Sequence, residues 1–237
     1  MKITESVQIT RYDNGAVLKT IDTVIAEYHL LLSVNGVAAA VIPCTPSSLR
    51  ELVIGFLFCR GIIHTLEDVK EILIDEINCA ANALLITGAP KSGSGGARPQ
   101  LNEFSVPVGR VLEQANLFYR NSALFNATGA IHGSCLCDEA DMLYIEEDIS
   151  RHNAVDKVIG RALSEGAAFG GAFIITSGRA PSDMIEKIIC CGIPILISRG
   201  APTGTAVAMA KEHDVTLAGF VRGGRMNIYS GERRILF

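Results

Sequence analysis

Residues 172–221 read AFIITSGRAPSDMIEKIICCGIPILISRGAPTGTAVAMAKEHDVTLAGFV. Three short apolar runs, 172–176, 194–198 and 215–221, alternate with two stretches, 181–191 and 203–212, whose apolar residues recur at helical spacing. Short apolar runs separated by helices read as strands, and the alternation predicts βα crossovers in a layered α/β sheet. Each strand hands over to its helix through small residues. Ser177-Gly178-Arg179 precedes Pro181, which opens a helix, and Ala201-Pro202-Thr203-Gly204-Thr205 repeats the logic. A third strand runs into Phe220-Val221-Arg222-Gly223-Gly224-Arg225. Ligands of open α/β sheets bind at strand carboxyl ends. Glycines there let a backbone approach a ligand, and arginines grip phosphates through paired hydrogen bonds. A basic hairpin turn is the plainer account of Arg222–Arg225.

Working outward, Ser134–Asp138 and Met142–Glu147 read as a hairpin, followed by a helix over 153–165. Arg225–Ser230 and Arg233–Phe237 read as a last pair of strands, and Val108–Asn121 as a helix. Tyr28–Val34 and Val37–Pro43 flank Asn35-Gly36, a tight-turn signal for a β-hairpin. Thr45 and Pro46 open a helix over about 46–60, with Gly61 as its stop, and Glu71–Asp75 and Ala83–Thr87 read as short strands. Pro90–Gln100 (PKSGSGGARPQ) is the low-complexity stretch and reads as a loop or linker. The expectation is an α+β portion over 1–100 and an α/β portion over 101–237.

The chain has 237 residues, 49% hydrophobic and 19% charged, with a net charge of −4. That composition supports a large core and argues against a nucleic-acid binder, which is expected to be basic. No apolar run is long enough to span a membrane, and MKITESVQITRYDNG lacks the apolar stretch of a signal peptide. A cytoplasmic protein with no nucleic-acid or membrane partner is expected. Seven cysteines, an odd number, argue for free thiols.

Glu146–Gly160 (EEDISRHNAVDKVIG) is the densest polar stretch. Its charges run directly into an apolar helical pattern, so it is either a structural ion-pair network or a binding site. Arg151, His152 and Asn153 would stand at the helix mouth, where exposed N–H groups favour an anion, with Asp156 and Lys157 one turn on. Cys135 and Cys137 alternate along a strand and share a face, and His132 precedes them. They are a reactive pair, a metal fragment, or two small hydrophobes. Cys190-Cys191 closes a helix and reads as core. Neither Cys-x-x-Cys nor His-Glu-x-x-His occurs, so no metal site is assigned.

These residues resemble a known family. EEDISRHNAVDKVIG is similar to the EDVGRHNAVDKVIG hallmark of the FdhD family, accessory sulfurtransferases of formate dehydrogenase. Residues 30–63, 125–148, 174–210 and 217–231 resemble its other motifs, so the likeness covers about 25 to 237 apart from the Gly/Ser loop. The resemblance implies a three-layer α/β/α core like that of cytidine deaminases, without their zinc signature. It implies sulfur transfer from a cysteine desulfurase to the molybdenum bis(molybdopterin guanine dinucleotide) cofactor, bound through a GDP-like moiety, for formate dehydrogenase. It also implies a homodimer. The family's cofactor-contacting FVR-x-x-R segment falls on Phe220–Arg225. Arg222, Arg225, Arg179, Arg151 and His152 would hold phosphates, with His132, Ser177 and Gly178 nearby, and Asp148 and Asp156 would orient the cations. The chain departs from the family where its persulfide-bearing CG-x-CG loop belongs, because Ser92–Ala97 holds no cysteine. Ile149-Ser150 also replaces Val-Gly, and Gly129-Ala130 replaces Gly-Gly. Cys135 and Cys137 are then the candidate sulfur carriers. The alternatives are a cofactor-binding chaperone without the sulfur relay and, on a deaminase-like core, a metal-dependent nucleotide-modifying enzyme.

Overall fold

A computed structural model describes residues 1–86 and 103–237. The expected loop Pro90–Gln100 and the end of the strand expected at Ala83–Thr87 lie outside the described residues.

The chain begins with a hairpin, β1 (Thr4–Asp13) and β2 (Ala16–Ile25), turning at Asn14-Gly15, both with positive φ. Sequence reading missed it, because few of its side chains are buried and no clean apolar stripe marks it. A four-stranded sheet follows, ordered β4-β3-β6-β5: β3 (Tyr28–Val34), β4 (Val37–Cys44), β5 (Val69–Asp75) and β6 (Ala80–Leu85). Helix α1 (Leu49–Cys59) covers it, and Leu52, Val53 and Leu57 join Leu30, Leu32 and Ile42 in one core. α1 begins later than expected because Thr45 is engaged elsewhere.

After the undescribed segment come β7 (Val106–Pro107), α2 (Val108–Arg120), α3 (Ala123–Thr128), β8 (His132–Cys137) and β9 (Met142–Asp148). Then α4 (Arg151–Ser164), β10 (Phe173–Thr176), α5 (Ser182–Cys191), β11 (Ile195–Ser198), α6 (Gly204–Glu212), β12 (Thr216–Arg222), β13 (Arg225–Ser230) and β14 (Ile235–Leu236) complete the chain. The expected final strand shortens to β14, which pairs with β7 rather than β13. The central sheet has six strands, ordered β13-β12-β11-β10-β8-β9. β10, β11 and β12 are parallel, as the alternating pattern predicts, while β8, β9 and β13 run antiparallel to their neighbours.

Both faces of this sheet are covered. Leu136, Ile174, Leu196 and Leu217 pack against α4, α5 and α6 through Val158, Ile185, Ile188 and Ala206. Their neighbours Cys135, Cys137, Ile175, Ile197 and Ala218 point the other way, against Val111, Ala115 and Phe118 of α2. Period-two alternation therefore builds a three-layer α/β/α unit, with the smaller α+β portion attached.

The attachment is the crossing of α1 and α4. A Cβ on Gly55 would stand 1.8 Å from the Asp156 carbonyl oxygen, and one on Gly160 1.9 Å from that of Glu51. Each glycine thus gives the other helix's backbone its space. No helix among the described residues is long and apolar enough to cross a membrane.

Candidate functional site

The polar stretch 146–160 forms one structure and borders a second at Ile149. Beneath the α1–α4 crossing, Lys157 Nζ lies 2.8 Å from Asp148 Oδ2, with both side chains 0% exposed. Nζ also donates to the carbonyls of Thr45 and Glu147, each at 3.2 Å. Asp148 accepts from the Thr45 N–H at 3.1 Å, the Ser150 N–H at 2.9 Å and Asn153 Nδ2 at 2.9 Å. Asn153 reaches on to the Pro43 carbonyl at 2.7 Å, and the Thr45 hydroxyl accepts from the Ile149 N–H. The carboxylate, ammonium and amide saturate one another and tie the β4–α1 connection to the start of α4. Burial of a charged pair is tolerated only with this degree of satisfaction.

Asn153 and Lys157, expected to contact a cofactor, are therefore corrected to structural residues. Asp156 is likewise 1% exposed, 2.6 Å from Lys187 Nζ and 3.8 Å from Arg60. Asp148 holds Lys157 and Asn153 rather than the arginines it was expected to orient. His152 lies inside α4, 3.5 Å from Asp183, and burial lowers its pKa while Asp183 opposes the shift.

The second structure is a cavity of about 300 Å³ at the carboxyl ends of β10 and β11. Phe118, Tyr119, Ser122 and Phe125 form one side, Ile131, His132 and Gly133 of the β8 entry another, and Ile149, Ser177 and Arg199 the rest. The His132 ring Nδ1 lies 3.3 Å from Ser177 Oγ, which accepts from the Gly133 N–H at 3.0 Å. The Ser177 hydroxyl has both a proton and a second lone pair to offer Nδ1, so either tautomer of the neutral ring fits this contact. Burial, Arg151 and Arg179 all lower the His132 pKa, against the opposing charge of Asp148.

Among the described residues three buried polar atoms have no hydrogen-bond partner: the Tyr119 hydroxyl in the cavity, Arg151 Nε beside it against Gly178, and Gln114 Oε1 away from its lining. Such groups are costly unless something else satisfies them. The Arg199 guanidinium stands over the Tyr119 ring, 5.0 Å from its centroid. Gly178 is needed for the approach of Arg151, since a Cβ there would meet Arg151 Cβ at 2.7 Å.

His132 and Ser177 stand together in the cavity, with Arg151 and Arg179 close enough to bias His132 electrostatically. Arg199, Tyr119 and the phenylalanines were missed. Arg199 carried a usable signal, since Ser198-Arg199-Gly200 follows a strand just as Ser177-Gly178-Arg179 does. The Phe220–Arg225 segment does not line the cavity. Phe220 takes φ +53° and donates its N–H to Gly200, while Asn116 brackets Gly223 with bonds of 2.8 and 3.0 Å. Val221 is core, and Arg222, Gly224 and Arg225 project into solvent beside the cavity's strand ends.

The thiol expectation is corrected. Cys135 and Cys137 do share a face, with sulfurs 3.4 Å apart, but both are fully buried under α2. Burial and the neighbouring Cys135 push the Cys137 thiol far above its usual range. A thiol sealed from solvent and from any partner cannot take sulfur from a persulfide. Cys44 is similarly inert, buried and pushed up to about 12 by desolvation and Asp148.

The fold and cavity define a class: a three-layer α/β protein with a pocket at its strand ends lined by aromatic side chains, His132 and Arg199. The FdhD/NarQ family profile matches residues 25–236, and the chain belongs to that family. It is 34% identical to the sulfur carrier protein FdhD of Listeria innocua, over 99% of this chain and all of the relative. It is 32% identical to that of Bacillus subtilis, over 99% and 98% of the two chains. The solved structure of a formate dehydrogenase accessory protein from Desulfotalea psychrophila superposes with a TM-score of 0.87 at 27% identity, covering 99% of this chain and all of the other.

Proposed function

We propose that this protein is a formate dehydrogenase accessory protein that holds the molybdenum bis(molybdopterin guanine dinucleotide) cofactor by a guanine-nucleotide arm in the strand-end cavity. The observation that carries the reading is the orphaned, buried Tyr119 hydroxyl in a pocket that also presents Arg199 and His132, with the unpartnered Arg151 Nε behind it against Gly178. Phosphate oxygens satisfy such donors, and the aromatic walls suit a purine. A cavity of about 300 Å³ suits one nucleotide arm rather than the whole cofactor. Arg179, Arg222 and Arg225, exposed at neighbouring strand ends, extend the positive rim toward the remaining phosphates.

Two readings of sulfur follow from the family. In the first, the protein accepts sulfur from a cysteine desulfurase and passes it to the cofactor. In the second, it presents the cofactor to formate dehydrogenase without carrying sulfur. The cysteine positions favour the second: residues 87–102 contain none, and Cys135 and Cys137 are sealed. A homodimer remains part of the proposal on family grounds.

Calorimetric titration with GDP tests the cavity. Saturable binding by the wild type, weakened in Arg199→Ala, is expected, and the absence of binding would refute the reading. Incubation with a cysteine desulfurase and labelled cysteine tests the relay. Label retained as persulfide would reject the second reading, and loss of that label in Cys135→Ser/Cys137→Ser would overturn the thiol correction.

A further inference from the structure

The N-terminal hairpin carries an apolar face that stays largely in solvent. The register of β1 and β2 is unbroken, so directly opposed residues share a face. One face, with Val7, Ile9, Thr20 and Val24, is half-buried toward the body, where β2 meets α3. The other carries the opposed pairs Tyr12–Val17, Thr10–Lys19 and Gln8–Ile21. Tyr12, Val17 and Ile21 are 73%, 67% and 70% exposed, and Lys19 is the one charged residue on that face. Strands of ten residues make an arm roughly 30 Å long. Two strands alone are marginally stable in water without a surface to pack on.

A second bare face lies on the four-stranded sheet. That sheet turns Leu30, Leu32, Ile42 and Ile72 toward α1. Val41, Leu31 and Leu73 stand on the opposite face, 60%, 51% and 48% exposed. Leu31 pairs with Val41 on β4 and with Ala80 on β6, so the apolar surface runs across three strands. Glu71 and Asp75 flank Leu73 on the same face of β5, and His29 stands at the far rim beside Glu27.

We infer that these two faces meet in a symmetric dimer, the arm of each copy lying across the bare sheet face of the other. The inference rests on the homodimer of the proposed function and is independent of the cavity. Both faces are apolar, and burying each against the other removes both from water. Charge selects this pairing over the alternatives. Arm against arm would set Lys19 beside its own copy, and sheet against sheet would set Glu71 and Asp75 against theirs. Arm against sheet opposes Lys19 to Glu71 of the partner subunit. Two-fold exchange makes the contact twice and closes, leaving neither face free.

Sedimentation velocity of the full chain over a dilution series is the test. Ile21→Lys on the arm and Val41→Lys on the sheet should each weaken the dimer roughly a hundredfold or more, since each change falls in both contacts. Lys19→Glu should weaken it about tenfold, and Lys19→Glu combined with Glu71→Lys should restore it. Thermal melts identify a variant that fails to fold, and Tyr12→Lys then replaces Ile21→Lys. A dimeric wild type that neither lysine variant weakens overturns the inference and leaves the homodimer standing. Weakening by Ile21→Lys without weakening by Val41→Lys overturns it in favour of another seat for the arm. A wild type that stays monomeric overturns both the inference and the homodimer.

Discussion

The Asp148–Lys157 lock and the strand-end cavity meet at Ile149, yet they are opposite in kind. In the lock each polar atom is buried and answered, by Thr45, Ser150, Asn153 and the Glu147 carbonyl. In the cavity the Tyr119 hydroxyl is buried and unanswered, as is Arg151 Nε beside it against Gly178. The difference teaches how to separate structure from binding in a charged motif. Density of charge does not distinguish them, whereas hydrogen-bond completion does. Saturated groups hold the fold, and an orphaned group that faces a cavity, as the Tyr119 hydroxyl does, is the one that points to a ligand.

The sharpest way to break this comparison is to remove one member of the lock. Lys157→Met should cost about 3–5 kcal/mol, the usual penalty of stranding a buried charge. Urea unfolding would show it, and a loss below about 1 kcal/mol would mean that the pair does not bear on stability. Next in size is Gly160→Ala. Alanine is the better helix former by roughly 1 kcal/mol, but its Cβ would drive into the Glu51 carbonyl. A net loss of about 1–3 kcal/mol is expected, and a gain would show that the crossing can open.

On the cavity side the effects should move from stability to binding. Arg199→Ala should leave unfolding within about 0.5 kcal/mol of wild type, because the guanidinium is exposed. GDP affinity should fall roughly tenfold or more. A stability loss without a binding loss would reverse the roles given to the two regions.

The smallest effect is a pH dependence at His132. Its pKa in the fold lies below the ordinary histidine value of 6.5, through burial first and then Arg151 and Arg179. The unfolded chain therefore takes up the proton first as pH falls. The ring's contribution is intact above about pH 6.5 and is lost below it, through the depressed folded value. Thermal unfolding should drop between pH 7 and 5, less steeply in His132→Gln. An identical slope in the variant would place the acid sensitivity elsewhere, with His152 the next candidate.

Much of the fold was legible. The strands at 172–176, 194–198 and 215–221 appeared close to where they lie because fully buried strands leave an uninterrupted apolar record. The N-terminal hairpin left none, being mostly solvent-exposed. Ser177 was singled out from the chemistry of its strand-end loop and His132 from its place before the cysteine strand, and the two stand together in the cavity. Tyr119 and Phe118 were not singled out, since an aromatic residue on a helix looks the same whether it faces a core or a cavity.

The sequence by itself determined the alternating α/β order, the strand ends that carry the binding loops, the family, and the absence of a thiol between 87 and 102. Those properties reside in local patterns and identities. Only the tertiary structure decided that Lys157 and Asp156 are bolts rather than ligands, that Cys135 and Cys137 are sealed, and that Arg199 and Tyr119 complete the pocket. Burial and hydrogen-bond completion depend on segments far apart in the chain, here Thr45 against Asp148 and Ser177 against His132, and no local spacing records which partners will meet.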